Sequence, residues 1–234
     1  MKRTKLISAL IFLVVAPATL ILGSKLPGRW YYFTGTLLVA ELMLPFFLSF
    51  EGRRPQAREL VLLAVMCALA VAARVAIPIP NFKAIYAVIM IAGIAFGPES
   101  GFLVGAISAL ASNFFLTQGP YTPWQMMSYG VGGLLAGILF RRGRLPRKPL
   151  IMAAVGFVLV VLVMGPLLDT CTLFLAPVTI RWKTVLAIYG SGFAVNLSLA
   201  VSTCISMFLL GRPLLEKLDR IQVKYGLLEE DRSR

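Results

Sequence analysis

FGPESGFLVGAISALASNFFLTQGPYTPWQMMSY, residues Phe96 to Tyr129, decides how the rest of the chain is read. Two apolar segments flank an uncharged connection, Thr117-Gln118-Gly119-Pro120-Tyr121-Thr122-Pro123-Trp124. Gly101, Gly105 and Ala109 recur every four positions, as on a helix face that meets another helix closely. Asn113 and Gln125 place amides at the ends of those helices, beside Gln118, Tyr121 and Trp124. Apolar helices that converge on amides and aromatics make a pocket for an uncharged or mixed-polarity small molecule. The same residues also fit an ordinary loop with interfacial aromatics.

Composition sets the class around this stretch. The chain is 59% hydrophobic and 14% charged, too apolar for a soluble domain of 234 residues. Apolar runs of bilayer-spanning length repeat from end to end and do not alternate, which predicts an all-α polytopic membrane protein and excludes a β-barrel. The net charge of +13 sits in loops and tails, where it sets topology, so no nucleic-acid partner is expected. Three cysteines without a CxxC pair, and no histidine, give no disulfide framework, no metal site and no cofactor. The missing histidine also counts against most hydrolases and haem proteins.

Eight spans follow in order. Met1 to Lys5 is basic and Leu6 to Gly23 apolar, either a signal peptide ending near Ala16-Pro17-Ala18 or, as the continuing apolar run favours, a retained helix. Trp30 to Phe50 opens on an aromatic belt and holds Glu41, which is expected neutral or facing a partner helix. Glu59 to Ile77 carries Ala64, Ala68, Ala72 and Ala76 at four-residue spacing, a smooth stripe for helix packing within the bundle or against another protein. Arg74, near its outer end, is expected to snorkel to the interface. Pro78 to Lys83 breaks that helix. Ala84 to Gly97 is short for a span and is expected to be completed by Phe82 and Lys83, or to be tilted or partly shielded by neighbours.

Phe102 to Leu116 and Trp124 to Phe140 follow, the latter with a second small face at Gly130, Gly133 and Gly137. Leu150 to Leu168 is the seventh span, with Asp169 at its outer end. Thr184 to Leu210 is the last and holds Asn196. Arg212 to Tyr225 reads as a short amphipathic helix on the inner membrane surface, ahead of a polar tail.

Basic residues orient these spans. The amino terminus, 51–58, 141–148 with five positive charges, and the carboxyl tail fall on one side, which is the cytoplasm. Both termini are therefore expected to be cytoplasmic. The connections 78–83, 117–123 and 169–183 share the outer face. No Gly-rich phosphate loop appears, so the chain shows no energy source of its own.

From about Arg58 to Leu210 the chain resembles the substrate-binding S components of energy-coupling factor transporters for vitamins. The resemblance rests on Ala64, Ala68 and Ala72, the connection Pro78 to Phe82, Gly97-Pro98 with Gly101 and Gly105, Ser112-Asn113, and the string Gln118 to Met126. It implies a six-helix S-component core preceded by two extra transmembrane helices. The corresponding divisions are a two-helix extension at 1–52, a substrate-binding core at 53–212 and a cytoplasmic amphipathic tail at 213–234. It further implies a multi-pass protein of a prokaryotic plasma membrane. Such a protein captures a vitamin at the outer face and delivers it inward when docked on a transmembrane T component driven by two ATPase subunits. The chain itself is then not an enzyme.

In that family the stripe carried here by Ala64, Ala68 and Ala72 contacts the T component. The pocket residues implied are Asn81, Phe82, Asn113, Gln118, Tyr121, Trp124, Gln125, Tyr129, Asp169 and Asn196. Trp124, Tyr121 and Tyr129 are expected to stack on a ring and the amides to orient it. Asp169 accepts hydrogen bonds or pairs with Arg181 or Lys183. The pattern is most similar to cobalamin S components, with riboflavin or another ring-containing vitamin precursor as the closest competitor. Two other classes stay open, an intramembrane enzyme using Glu41, Glu99 or Asp169, and an assembly subunit with an adhesive alanine stripe.

Overall fold

The computed structural model describes residues 7, 10–24, 30–52, 56–76, 79–176 and 181–225. The basic amino terminus, Arg53-Arg54-Pro55, Pro78, the middle of the last outer connection and the carboxyl tail lie outside them, as do the side chains of Trp30, Tyr31 and Tyr32. Among the described residues the architecture is all-helical, as the apolar runs predict. Helix α1 covers 11–24, a π turn at Ile11–Val15 running into Ala16–Ser24. It is followed by α2 (Trp30–Gly52), α3 (Ala57–Val75), α4 (Ile85–Phe96), α5 (Pro98–Phe115), α6 (Thr122–Phe140), α7 (Pro149–Leu175) and α8 (Trp182–Lys224). The stretches Phe33–Glu51, Pro149–Leu175 and Trp182–Lys224 are long and apolar enough to cross a bilayer on length and composition alone.

The core is built around the shortest span. Helix α4 has 12 residues, about 18 Å of helix against about 30 Å of hydrocarbon. Every residue from Ile85 to Ile94 is buried. A helix apolar on all faces is stable where protein surrounds it, and α3, α5, α6 and α8 all pack against α4. The expected shielding is thus met. Backbone contact between glycines lets the neighbours come this close. A β-carbon on Gly101 would stand 2.5 Å from Gly133 O and 2.6 Å from Gly93 Cα. Both small faces read from the sequence therefore meet at the α4–α5–α6 crossing. Gly97, with φ of +95°, makes the tight turn into α5, where Pro98 takes the first helical position.

Three expectations change. The seventh span does not end at Leu168. Helix α7 runs to Leu175, and within it Thr170 and Thr172 donate their hydroxyls to the carbonyls of Pro166 and Leu168, so the polar turn leaves neither hydroxyl unpaired. Pro166 lacks the N–H that would bond Leu162 O, and the preceding turn, Val160–Met164, widens to a π turn. Ser128 Oγ donates to the Met164 carbonyl at 3.0 Å.

Residues 212–224 are not a separate helix. They continue α8 through Pro213 as one rod of 43 residues, about 65 Å long. Leu215, Leu218 and Gln222 are buried against the bundle. Gln222 Nε2 donates to Ala95 O at 3.0 Å, and Arg147 bridges Asp219 at 3.1 Å while donating to Ile94 O at 3.2 Å. These contacts gather the basic segments at one end of the bundle.

Arg74 does not reach out to the interface. It turns into the opposite end of the bundle, where hydroxyl and amide acceptors hold it.

The two extra helices dock on one side of this core. Helix α2 packs against α5, α6 and α7, and α1 packs on α2. Phe46 stacks on Phe102 with ring centroids 4.3 Å apart, and Phe47 meets the same ring edge-on at 5.9 Å. Ser49 Oγ donates to Glu99 Oε1 at 2.8 Å. Glu41 faces its partner helix, as expected, and Thr19 Oγ1 lies 2.9 and 3.0 Å from its two oxygens.

Candidate functional site

Opposite the basic end, α3, α5 and α6 bring their termini together around a polar cluster. Arg74, in the last turn of α3, donates through Nη1 to Ser112 Oγ at 2.5 Å and to Asn113 Oδ1 at 2.9 Å. Its Nη2 reaches Gln125 Oε1 at 3.4 Å. Its guanidinium lies 5.5 Å from the Tyr129 ring centroid, within cation–π range. Among the described residues no carboxylate is within ion-pair distance of Arg74, so amide and hydroxyl dipoles and an aromatic face hold the cation.

The amides continue the cluster. Asn113 is buried, and its Nδ2 donates to Gln125 Oε1 at 2.9 Å and to Thr122 Oγ1 at 3.1 Å. Thr122 Oγ1 donates to Gln118 Oε1 at 3.0 Å, and Gln118 Nε2 to Leu110 O at 3.3 Å. The Gly119 N–H donates back to Thr122 Oγ1 at 3.3 Å. The Gly119–Thr122 turn is closed by a backbone bond of 2.9 Å, and Pro123 sits in the first turn of α6, where a missing N–H costs nothing. Tyr129 is buried, edge-on to Tyr86 with centroids 4.9 Å apart.

A cavity of about 510 Å³ opens beside this cluster, between the start of α6 and the far half of α7. Tyr121, Gln125, Leu168, Cys171, Thr172, Leu175 and Ala176 line it. Its size falls in the range of small-molecule sites, and its wall is mainly apolar with few polar groups. Tyr121 turns its hydroxyl back to Thr117 O at 2.7 Å, leaving its ring as the surface beside the cavity.

The residues expected at the pocket divide among five places. Asn113, Gln118, Gln125 and Tyr129 belong to the polar cluster, and Tyr121 and Gln125 reach the cavity. Asp169 and Asn196 form a buried pair on α7 and α8, with Asn196 Nδ2 2.7 Å from Asp169 Oδ2. Gly165 and Gly192 admit these two side chains, since a β-carbon at either would overlap them. Asp169 is thus held by Asn196, and its chain neighbour Leu168 lines the cavity. Asn81 and Phe82 line a second hollow of about 390 Å³ against Leu197, Ser198 and Val201 of α8.

Trp124 is packed elsewhere. Its ring stacks on Phe174 with centroids 5.6 Å apart, in a small apolar cluster with Val39 of α2 and Cys171. The indole therefore pins α2 to α6 and α7. Its Nε1 is buried without a hydrogen-bond partner among the described residues.

Sequence reasoning missed Arg74, Ser112 and Thr122 as members of the cluster. Arg74 lies one helix away in sequence from the amides it joins. The only signal for it was a cation in the last turn of a helix that ends at the same face. Ala64, Ala68 and Ala72 remain exposed on α3, flanked by exposed Leu60, Val61, Val65 and Leu69.

No curated protein and no solved structure matches the chain significantly. Residues 55–219, by contrast, match the family described as ECF-type riboflavin transporter, S component. That interval runs from the start of α3 into the last turns of α8, and it contains the buried α4, the glycine crossing, the polar cluster and the cavity. With most of the chain covered, the protein belongs to this family and is the S component, the substrate-specific membrane subunit, of an energy-coupling factor transporter.

Proposed function

We propose that this S component captures riboflavin, or a closely similar ring-bearing vitamin precursor, in the cavity between α6 and α7. The observation that carries the reading is the cavity of about 510 Å³, with Tyr121 and Gln125 on its wall. A planar tricyclic ring has matching needs, an apolar slot, an aromatic face and a few amides at its polar edge. The riboflavin designation of the matched family points the same way. Cobalamin, the substrate first expected, has no such support from the matched family.

Of the residues first assigned to the pocket, Tyr121 and Gln125 are its wall, and Asn113, Gln118 and Tyr129 support that wall. Asp169 and Asn196 brace the far half of α7. Asn81 and Phe82 belong to the connection that covers the second hollow.

The chain is a transport subunit, so energy comes from its partners. The proposed cycle is capture at the outer face, docking on a T component driven by two ATPases, and release inward. Docking runs through Ala64, Ala68 and Ala72, whose exposed methyls offer a surface that forms and releases without interlocking side chains. In the proposed two-helix extension, 1–52, α2 lies against α5, α6 and α7, and the alanines of α3 stay exposed. The core is 53–212, and 213–234 is the cytoplasmic tail. The basic end, with Arg141, Arg142, Arg144, Arg147 and Lys148, faces the cytoplasm, as do both termini.

The test is calorimetric titration of purified, detergent-solubilised protein with riboflavin and with cobalamin. Stoichiometric nanomolar binding of riboflavin and none of cobalamin is expected. Tight cobalamin binding without riboflavin binding would overturn the substrate assignment.

A further inference from the structure

Hydrogen bonds donated by side chains in the polar cluster run in one direction, and Arg74 is their source. A guanidinium has five N–H donors and no acceptor. Whatever faces Arg74 must therefore present oxygen. This settles the orientation of two side-chain amides, whose oxygen and nitrogen are otherwise interchangeable in shape and are told apart by the network they join. Asn113 lies 2.9 Å from Nη1, so Oδ1 faces Arg74 and Nδ2 faces away. That Nδ2 is 2.9 Å from Gln125, so Gln125 also turns its oxygen inward, where Arg74 Nη2 reaches it at 3.4 Å.

Two branches leave this point. One passes from Asn113 through Thr122 and Gln118 to the Leu110 carbonyl, which accepts and ends it. The other ends at Gln125. Its Oε1 is taken by two donors, and among the described residues no acceptor bonds its Nε2. Gln125 is also the cluster member that lines the cavity. The branch therefore ends with an N–H₂ group at the cavity wall, a few ångströms from a guanidinium that no carboxylate balances among the described residues.

The geometry points to Arg74 as a positioning residue that sets the polarity of the site: it locks Gln125 with its N–H₂ toward the cavity, so the part of the ligand bound there presents hydrogen-bond acceptors. This rests on the proposed reading of the cavity as the substrate site. The chemistry selected is a ring edge of carbonyl oxygens or unprotonated ring nitrogens, neutral or anionic. Ligands that offer N–H groups at that edge, or that carry a fixed cation, meet donors and a like charge.

The experiment measures riboflavin affinity and melting temperature for the wild type, Gln125→Glu, Arg74→Lys and Arg74→Gln. In Gln125→Glu the carboxylate keeps one oxygen on Arg74 and Asn113 and turns an acceptor to the cavity. The expected result is a melting temperature no lower than the wild type with riboflavin affinity weakened about 10- to 100-fold, the loss from facing an acceptor with an acceptor. Lysine is also a pure donor, so Arg74→Lys is expected to hold affinity within a few-fold. Arg74→Gln frees both amides to rotate and is expected to lose affinity as Gln125→Glu does.

A merely structural Arg74 predicts that Lys and Gln variants behave alike and that Gln125→Glu binds as the wild type does. Wild-type affinity in Gln125→Glu would overturn the inference while leaving the riboflavin reading intact. Failure of Gln125→Glu to fold would contradict it too, since the network offers that carboxylate a cation. Absence of riboflavin binding by the wild type would overturn the functional reading, and this inference with it.

Discussion

Arg74 Nη1 lies 2.9 Å from Asn113 Oδ1, and this contact ties the end of α3 to the end of α5. Hydrogen bonds to a charged group contribute about 1.5–3 kcal/mol. A double-mutant cycle with Arg74→Met and Asn113→Leu is therefore expected to show a coupling of about 2 kcal/mol in thermal or denaturant unfolding. Additive effects would mean that the two residues act independently.

The glycine crossing is expected to tolerate no β-carbon. Gly101→Ala places a methyl against the Gly133 carbonyl and the Gly93 backbone, neither of which is the end of a flexible side chain. A loss of at least about 1–3 kcal/mol is expected. Gly190→Ala is the control, because no atom lies within 4 Å of its added carbon. It is expected to be neutral or to stabilise α8 by up to about 1 kcal/mol. Unfolding of the two variants in detergent makes the comparison.

Trp124 separates packing from ligand contact. In the cluster with Val39, Cys171 and Phe174, Trp124→Ala is expected to cost about 3 kcal/mol and to loosen α2 from the core. Trp124→Phe keeps an aromatic ring in the stack and leaves no buried N–H unpaired. It is expected to retain riboflavin affinity within a few-fold. A severe affinity loss in Trp124→Phe with unchanged stability would return the indole to the ligand site.

How far the fold was legible follows from which interactions are local. The eight apolar runs, the glycine faces at Gly101 and Gly133, and the shielding of α4 are set by length and spacing, and the helices have them. Two helix ends were misjudged for the same reason. Thr170 and Thr172, and Gly211-Arg212-Pro213, look like places to stop, yet α7 and α8 run through them. The threonine hydroxyls satisfy their own helix, and the buried faces of Leu215 and Leu218 hold α8 to the bundle beyond Pro213.

In the site, the amides of Asn113, Gln118 and Gln125 were legible because they flank one connection. Arg74 was not, since a cation in the last turn of a membrane helix ordinarily snorkels to the interface. What turns it inward is acceptors on α5 and α6. Trp124 was assigned to a ligand because the partners it packs on, Val39 and Phe174, lie on distant helices.

The exposed stripe gives a separate prediction. Ala68→Trp projects a large ring from the exposed face of α3 and touches none of the cavity residues. Riboflavin binding by the purified variant is expected to equal the wild type, while uptake by cells expressing it with the energising module is expected to be abolished. Wild-type uptake would remove α3 from the docking interface.

The central claim is that the cavity between α6 and α7 holds the ring of riboflavin. Thr172 is exposed and lines that cavity, so Thr172→Trp fills it at little cost to the fold. Calorimetric titration of wild type and Thr172→Trp with riboflavin is the most direct measurement. The account predicts stoichiometric tight binding by the wild type and none by a Thr172→Trp protein of unchanged melting temperature. Equal affinity in the two proteins would contradict it.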